Sequence, residues 1–177
     1  MYRLLCLGLV LGWSQSAQAD WRERSGIDVF VQPLLGLPVG TLGGRGFAPG
    51  GGFRLALGHF DRLKQRASRF ELTYDGYSGS AVAPQTGDFF QISAAIGVGL
   101  QFKLRDRWIG QPAGSVGYSL AQAGVEAVSG AFASGGFALL KRARLRHIHY
   151  GVEAHGGWWL GAGGGFIRAG PIIRWQR

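Results

Sequence analysis

Residues 89–104 of the chain are FFQISAAIGVGLQFKL. From Phe90 onward every second position is apolar: Phe90, Ile92, Ala94, Ile96, Val98, Leu100, Phe102 and Leu104. Between them stand Gln91, Ser93, Ala95, Gly97, Gly99, Gln101 and Lys103, all polar or small. A period of two places these sets on opposite faces of a strand. The greasy face is longer than a soluble strand of about 5–6 residues provides. Oil on one side and a crowded polar enclosure on the other suit the wall of a transmembrane barrel.

The N-terminus follows a different rule. Arg3 is a positive n-region, Leu4 to Trp13 is a short apolar core, and Ser14 to Ala19 ends in the A-x-A pattern of Ala17, Gln18 and Ala19. This predicts a cleaved signal peptide over 1–19 and a single mature domain over 20–177. A spanning helix would need about 20 apolar residues, more than this run offers. The only cysteine, Cys6, leaves with the leader, so the mature chain has no thiol chemistry. Charged residues make up 16% of the chain and Gly 32 of its 177 positions, against norms of about 25% and about 7%. No later window could form a spanning helix, so a membrane chain of this kind must close a sheet.

Two kinds of punctuation separate the alternating segments. Asp61 to Arg69, Lys103 to Trp108 and Lys141 to Arg146 are short and basic, whereas Gly36 to Gly52, Gly76 to Gly87, Gln122 to Gly130 and Gly156 to Gly165 are rich in small residues. Strands are predicted between them at about 27–36, 52–60, 69–77, 89–104, 113–121, 131–140, 147–156 and 164–175. The expected fold is all-β, an antiparallel up-and-down barrel of eight strands with both termini at one end. Eleven of the nineteen Lys and Arg residues fall in the three basic turns, with Arg22, Arg24, Arg174 and Arg177 expected at the same rim. Such a ring suits anionic headgroups, at about 1 kcal/mol per residue near the surface; solvated, flexible turns are the plainer alternative. Nucleic-acid binding does not fit an exported chain whose charges are split among separate turns. Aromatics are expected at the two membrane interfaces: Trp21, Trp108 and Trp175 at the basic end, and Tyr77, Phe89, Phe90, Trp158 and Trp159 at the other.

With this arrangement the chain resembles the small eight-stranded outer-membrane β-barrels, the OmpA transmembrane domain and OmpX type, over about residues 27–177. The resemblance rests on the leader, the alternating strands, the two kinds of connection and the closing segment GFIRAGPIIRW (Gly165 to Trp175). It implies an outer-membrane location, lipid partners including lipopolysaccharide, and recognition by the barrel-assembly machinery during biogenesis. A terminal aromatic residue is usual in the family. Here Trp175 is followed by Gln176 and Arg177, and their deletion is expected to leave or improve insertion.

The parity opposite the greasy face nominates an interior polar network: Arg54, Glu71, Asp75, His149, Glu153, His155 and Arg168, with Thr73, Gln91, Ser93, Gln101, Ser115, Ser119 and Arg174. A lumen of eight strands is just wide enough for side chains to fill, so paired charges should plug it. HIHYGVEAH carries His147, His149, Glu153 and His155 at strand spacing. Residues two apart stand about 6.6–7 Å apart along a strand, and residues six apart about 20 Å. One ion could not collect them, and neither metal nor cofactor is expected. A catalytic reading, as a lipid A- or phospholipid-modifying hydrolase or acyltransferase, would use Ser119 (or Ser115) with His149 and Glu153. The favoured role is structural or surface-interactive, as a monomer. The alternatives are that enzyme, a narrow pore, or a soluble periplasmic ligand-binding barrel.

Overall fold

The computed structural model describes residues 25–40, 48–78, 88–123, 126–145, 147–160 and 164–177. The leader, Trp21, Arg22, Arg24, Arg146 and much of the Gly-rich connections lie outside the described residues. Nine β elements are present among those described: β1 Ser25–Gly40, β2 Gly50–Asp61, β3 Arg66–Tyr77, β4 Phe89–Leu100, β5 Phe102–Arg105, β6 Trp108–Ala123, β7 Glu126–Arg142, β8 Ile148–Trp159 and β9 Gly164–Gln176. β5 continues β4 beyond Gln101, so the wall has eight staves, all antiparallel, closed by pairing of β1 with β9.

Registers fix the barrel's shape. Val29 pairs with Leu57, then Phe70, Ile96, Val116, Ala133, Trp158 and Gly165 in turn. Gly165 pairs with Val39, ten residues further along β1 than the start. A shear of that size on eight staves tilts them by roughly 40°. Eight staves at this tilt enclose a lumen of side-chain width.

The staves overrun the sequence expectation in places. β6 and β7 reach Ala123 and Glu126, which pair directly, so strand pairing extends into the 122–130 stretch where a loop was expected. The sequence there, with Ala123, Gly124, Ala127 and Gly130, carries little period-two contrast. At the basic end the turns are short. Asp61 Oδ1 accepts from the amides of Leu63 and Lys64, both at 3.0 Å, and Gln65 adopts a left-handed φ of 50°. Asp106 does the same, at φ 39°, in the two-residue link from Arg105 to Trp108.

The alternation in β4 resolves as expected: Phe90, Ile92, Ile96, Val98 and Leu100 face outward, Gln91 and Ser93 inward. Gly117, opposite Ala95, is required by packing. A Cβ there would lie 2.2 Å from the Ala94 carbonyl oxygen and 2.7 Å from Ala95 Cα. Gly117→Ala should therefore cost about 1–3 kcal/mol. Gly135→Ala, whose nearest neighbour would be the Ala113 oxygen at 3.9 Å, should stay within about 0.5 kcal/mol. Urea unfolding of the refolded barrel separates the two; equal costs would contradict this packing.

Candidate functional site

Inside the wall the polar parity assembles into tiers of paired charge. Nearest the basic turns, Arg174 Nε donates to Asp28 Oδ1 at 2.5 Å, while its other nitrogens donate to Asp28 Oδ2 and Gln111 Oε1. At mid-height Arg69 Nε donates to Glu71 Oε1 at 2.7 Å, and Arg54 bridges Glu71 at 3.6 Å and Glu153 at 2.5 Å. The Arg54 contacts are ionic rather than well-aligned hydrogen bonds. Both guanidiniums also lie 4.8 Å from the Phe30 ring centroid. Above them Arg168 grips Asp75 through two nitrogens at 2.7–3.1 Å, Tyr77 donates to Asp75 at 2.7 Å, and Arg168 stacks on Phe166 at 3.5 Å.

Among the described residues the buried charges balance. Arg54, Arg69, Arg168 and Arg174 face Asp28, Glu71, Asp75 and Glu153, four of each sign. Buried ions are tolerated only when paired and hydrogen-bonded, and here each has a partner of opposite sign. The free volume around Arg54, Glu71, Ser115, Glu153 and His155 is ≈ 10 Å³, which admits about one water. An aromatic layer of Tyr77, Phe89, Phe132, Trp159 and Phe166 closes the lumen toward the Gly-rich end. The interior is a plug.

Each residue nominated for the interior network lies inside: Arg54, Glu71, Asp75, His149, Glu153, His155 and Arg168 are all buried. Five members escaped the sequence reading: Asp28, Gln32, Arg69, Gln111 and Gln176. Asp28 and Gln111 sit on staves with apolar residues on both parities, which blurs the pattern, and Arg69 was counted with the basic turn preceding it. Arg69 is thus an interior, not a rim, charge, and Arg174, expected both at the basic rim and in the lumen, is buried inside the basic end. His147 precedes β8, is exposed, and contacts the Gln176 carbonyl through Nδ1 at 3.2 Å, so it does not share the face of His149.

Three aromatic assignments are corrected: Trp159, Phe89 and Tyr77. Trp108, Trp158 and Trp175 face outward, and Lys141 Nζ lies over the Trp108 ring at 5.4 Å. Trp159 faces inward at 3% exposure, edge-on to Phe89 and Phe166. Successive residues of a strand point to opposite faces, so Trp158 and Trp159 cannot share a belt. Phe89 and Tyr77 are likewise interior.

The catalytic candidates are not brought together. Ser119 pairs with Ser93 and Gly130 near the Gly-rich end, whereas His149 pairs with Arg174 and Arg142 at the basic end. Strand rise and tilt put them on the order of 20 Å apart along the barrel axis. A general base must come within hydrogen-bond reach of its nucleophile. Ser119 Oγ has no partner, and Glu153 is committed to Arg54. Among the described residues no group of three His, Cys, Asp or Glu could hold a metal ion.

No protein-family model matches the chain, and no curated protein matches it by sequence. Solved structures do match. Neisserial surface protein A (NspA) superposes with a TM-score of 0.62 at 12% identity, covering 84% of this chain and 96% of its own. Ail, the attachment invasion locus protein of Yersinia pestis, gives 0.57 at 10% identity, covering 87% and 99%. The outer membrane enzyme PagL gives 0.51 at 13% identity, covering 82% and 97%. Identities this low carry the architecture and nothing finer. The chain has the fold of the small eight-stranded outer-membrane β-barrels.

Proposed function

We propose that the chain is an integral protein of the bacterial outer membrane, acting as a monomer in a structural or surface-interaction role. On this reading residues 1–19 direct export and are removed, and the barrel-assembly machinery inserts the rest. The observation that carries the proposal is the outer surface: Leu35, Ile96, Ile173, Val116 and Leu57 are 74%, 68%, 64%, 63% and 61% exposed on one continuous wall. Water would not tolerate such a girdle on a monomer, whereas lipid requires one. The plugged lumen leaves the loops and rims as working surfaces, with lipopolysaccharide as the partner at the Gly-rich end.

Fractionation tests the location. The chain should extract with the outer membrane and migrate faster on gels before heating than after; recovery in the soluble periplasm would overturn the proposal. In planar bilayers the refolded protein should give no stable conductance steps, because its charges are paired and its lumen is filled. Release of acyl chains from lipopolysaccharide or phospholipid, abolished by His149→Ala, would replace this reading with an enzymatic one.

A further inference from the structure

The barrel's two ends differ in kind. The Gly-rich end is closed by aromatic rings, but the basic end opens into a recess of ≈ 280 Å³. Arg62, Arg142 and Arg177 line it with His147, His149 and Gln101. A second recess of ≈ 350 Å³ shares Gln65, Gln101 and Arg142 with the first and adds Lys103 and Arg107. Asp106 is the one acidic side chain lining either space. Asp61, beside Arg62 in sequence, has Oδ1 engaged by two turn amides.

The cations at this mouth are uncommitted. Among the described residues none of Arg62, Arg142 and Arg177 has a carboxylate partner, in contrast with every arginine of the plug. At the floor His149 is 3% exposed and its Nδ1 has no hydrogen-bond partner. A buried polar nitrogen without a partner costs free energy unless a ligand or water meets it. The lining therefore offers guanidinium forks around a concave space, an unmet imidazole nitrogen beneath, neutral glutamine amides that can donate as well as accept, and a single side-chain carboxylate, Asp106.

We propose that this mouth is an oxyanion site that takes one phosphate group, as a free phosphate or as the phosphodiester of a lipid headgroup. Guanidinium forks match tetrahedral phosphate oxygens bidentately, and donors on several sides favour phosphate over a planar carboxylate. The headgroup source rests on the outer-membrane reading above, since insertion would set this rim at the level of leaflet headgroups; the free-phosphate source does not.

Refolded full-length chain in uncharged maltoside micelles and phosphate-free buffer is titrated calorimetrically with inorganic phosphate. A parallel titration uses a short-chain phosphatidylglycerol, with the diacylglycerol of equal chain length as the phosphate-free control. Saturable 1:1 binding is expected, at least tenfold weaker in Arg142→Gln and in His149→Leu, with the diacylglycerol inert. Arg144→Gln removes an equal charge from a turn residue lining neither recess, and should bind as the parent does. Saturation by inorganic phosphate identifies a soluble ligand, and saturation by the lipid alone identifies the headgroup. Absence of saturable binding by both, or an equal loss in Arg144→Gln, overturns the site. Heat-modifiable mobility of each variant shows that it is folded, so a folded barrel that ignores phosphate sinks this site and leaves the membrane assignment standing.

Discussion

Replacing Arg174 with Met should lower the unfolding free energy of the refolded barrel by about 3–5 kcal/mol, the cost of stranding a buried charge. Arg174 is fully buried and holds both oxygens of Asp28 together with Gln111. Phe30, Leu140 and Ile172 belong to the apolar cluster at the same end. Without the guanidinium, the Asp28 carboxylate would remain against these neighbours with no partner. The double variant Asp28→Leu/Arg174→Met removes both charges, and apolar replacement of a buried pair is often close to neutral. Most of the lost stability should therefore return, and the difference from additivity measures the pair. Urea titration in lipid vesicles, read by tryptophan fluorescence, supplies both numbers. A single-variant cost below about 1 kcal/mol would mean that water already reaches Asp28 and that the lumen is not sealed.

The plug also separates the basic residues by role. Among the described residues four arginines and four carboxylates cancel within the wall, and the basic side chains of the turns lie outside it. Interior and exterior use the same residue type for opposite purposes. Arg168 is neutralised by Asp75 and stacked on Phe166, whereas Arg142 opens to solvent at a mouth lined with donors.

The fold was legible in the sequence because one stave, β4, alternates without interruption and the basic and Gly-rich connections recur in turn. A wall that touches lipid on one face and packed side chains on the other imposes period two. Legibility failed where that contrast weakens. In β1 the run VFVQPLLG (Val29 to Gly36) has apolar residues on both parities, because Phe30 and Leu34 fill the lumen while Val31 and Leu35 face outward. Asp28 was lost from the interior list for that reason. The Trp158–Trp159 pair misled differently: composition marks an interface, but only register says which ring turns inward. The pairing of Arg174 with Asp28, 146 residues apart, could not be read from spacing, since it depends on the closure of β1 upon β9.

Ile96→Arg should be the most damaging substitution on the outer wall. Ile96 is 68% exposed and pairs with Phe70 and Val116, two further outward residues midway between the basic and Gly-rich ends. A guanidinium there would lie near the bilayer midplane with no carboxylate in reach, at a cost of about 2–4 kcal/mol. Ile27→Arg supplies the contrast. Ile27 also faces outward, but it is the third residue of β1, close to the basic turns. A long side chain can carry its charge to the headgroups from that position, so the cost should fall to about 0–1 kcal/mol. The ratio between the two positions reports depth in a low-dielectric slab, and both are read from unfolding in the same vesicles. If Ile96→Arg and Ile27→Arg cost equally little and the barrel still inserts, the wall faces water, and the apolar girdle needs a different partner from lipid.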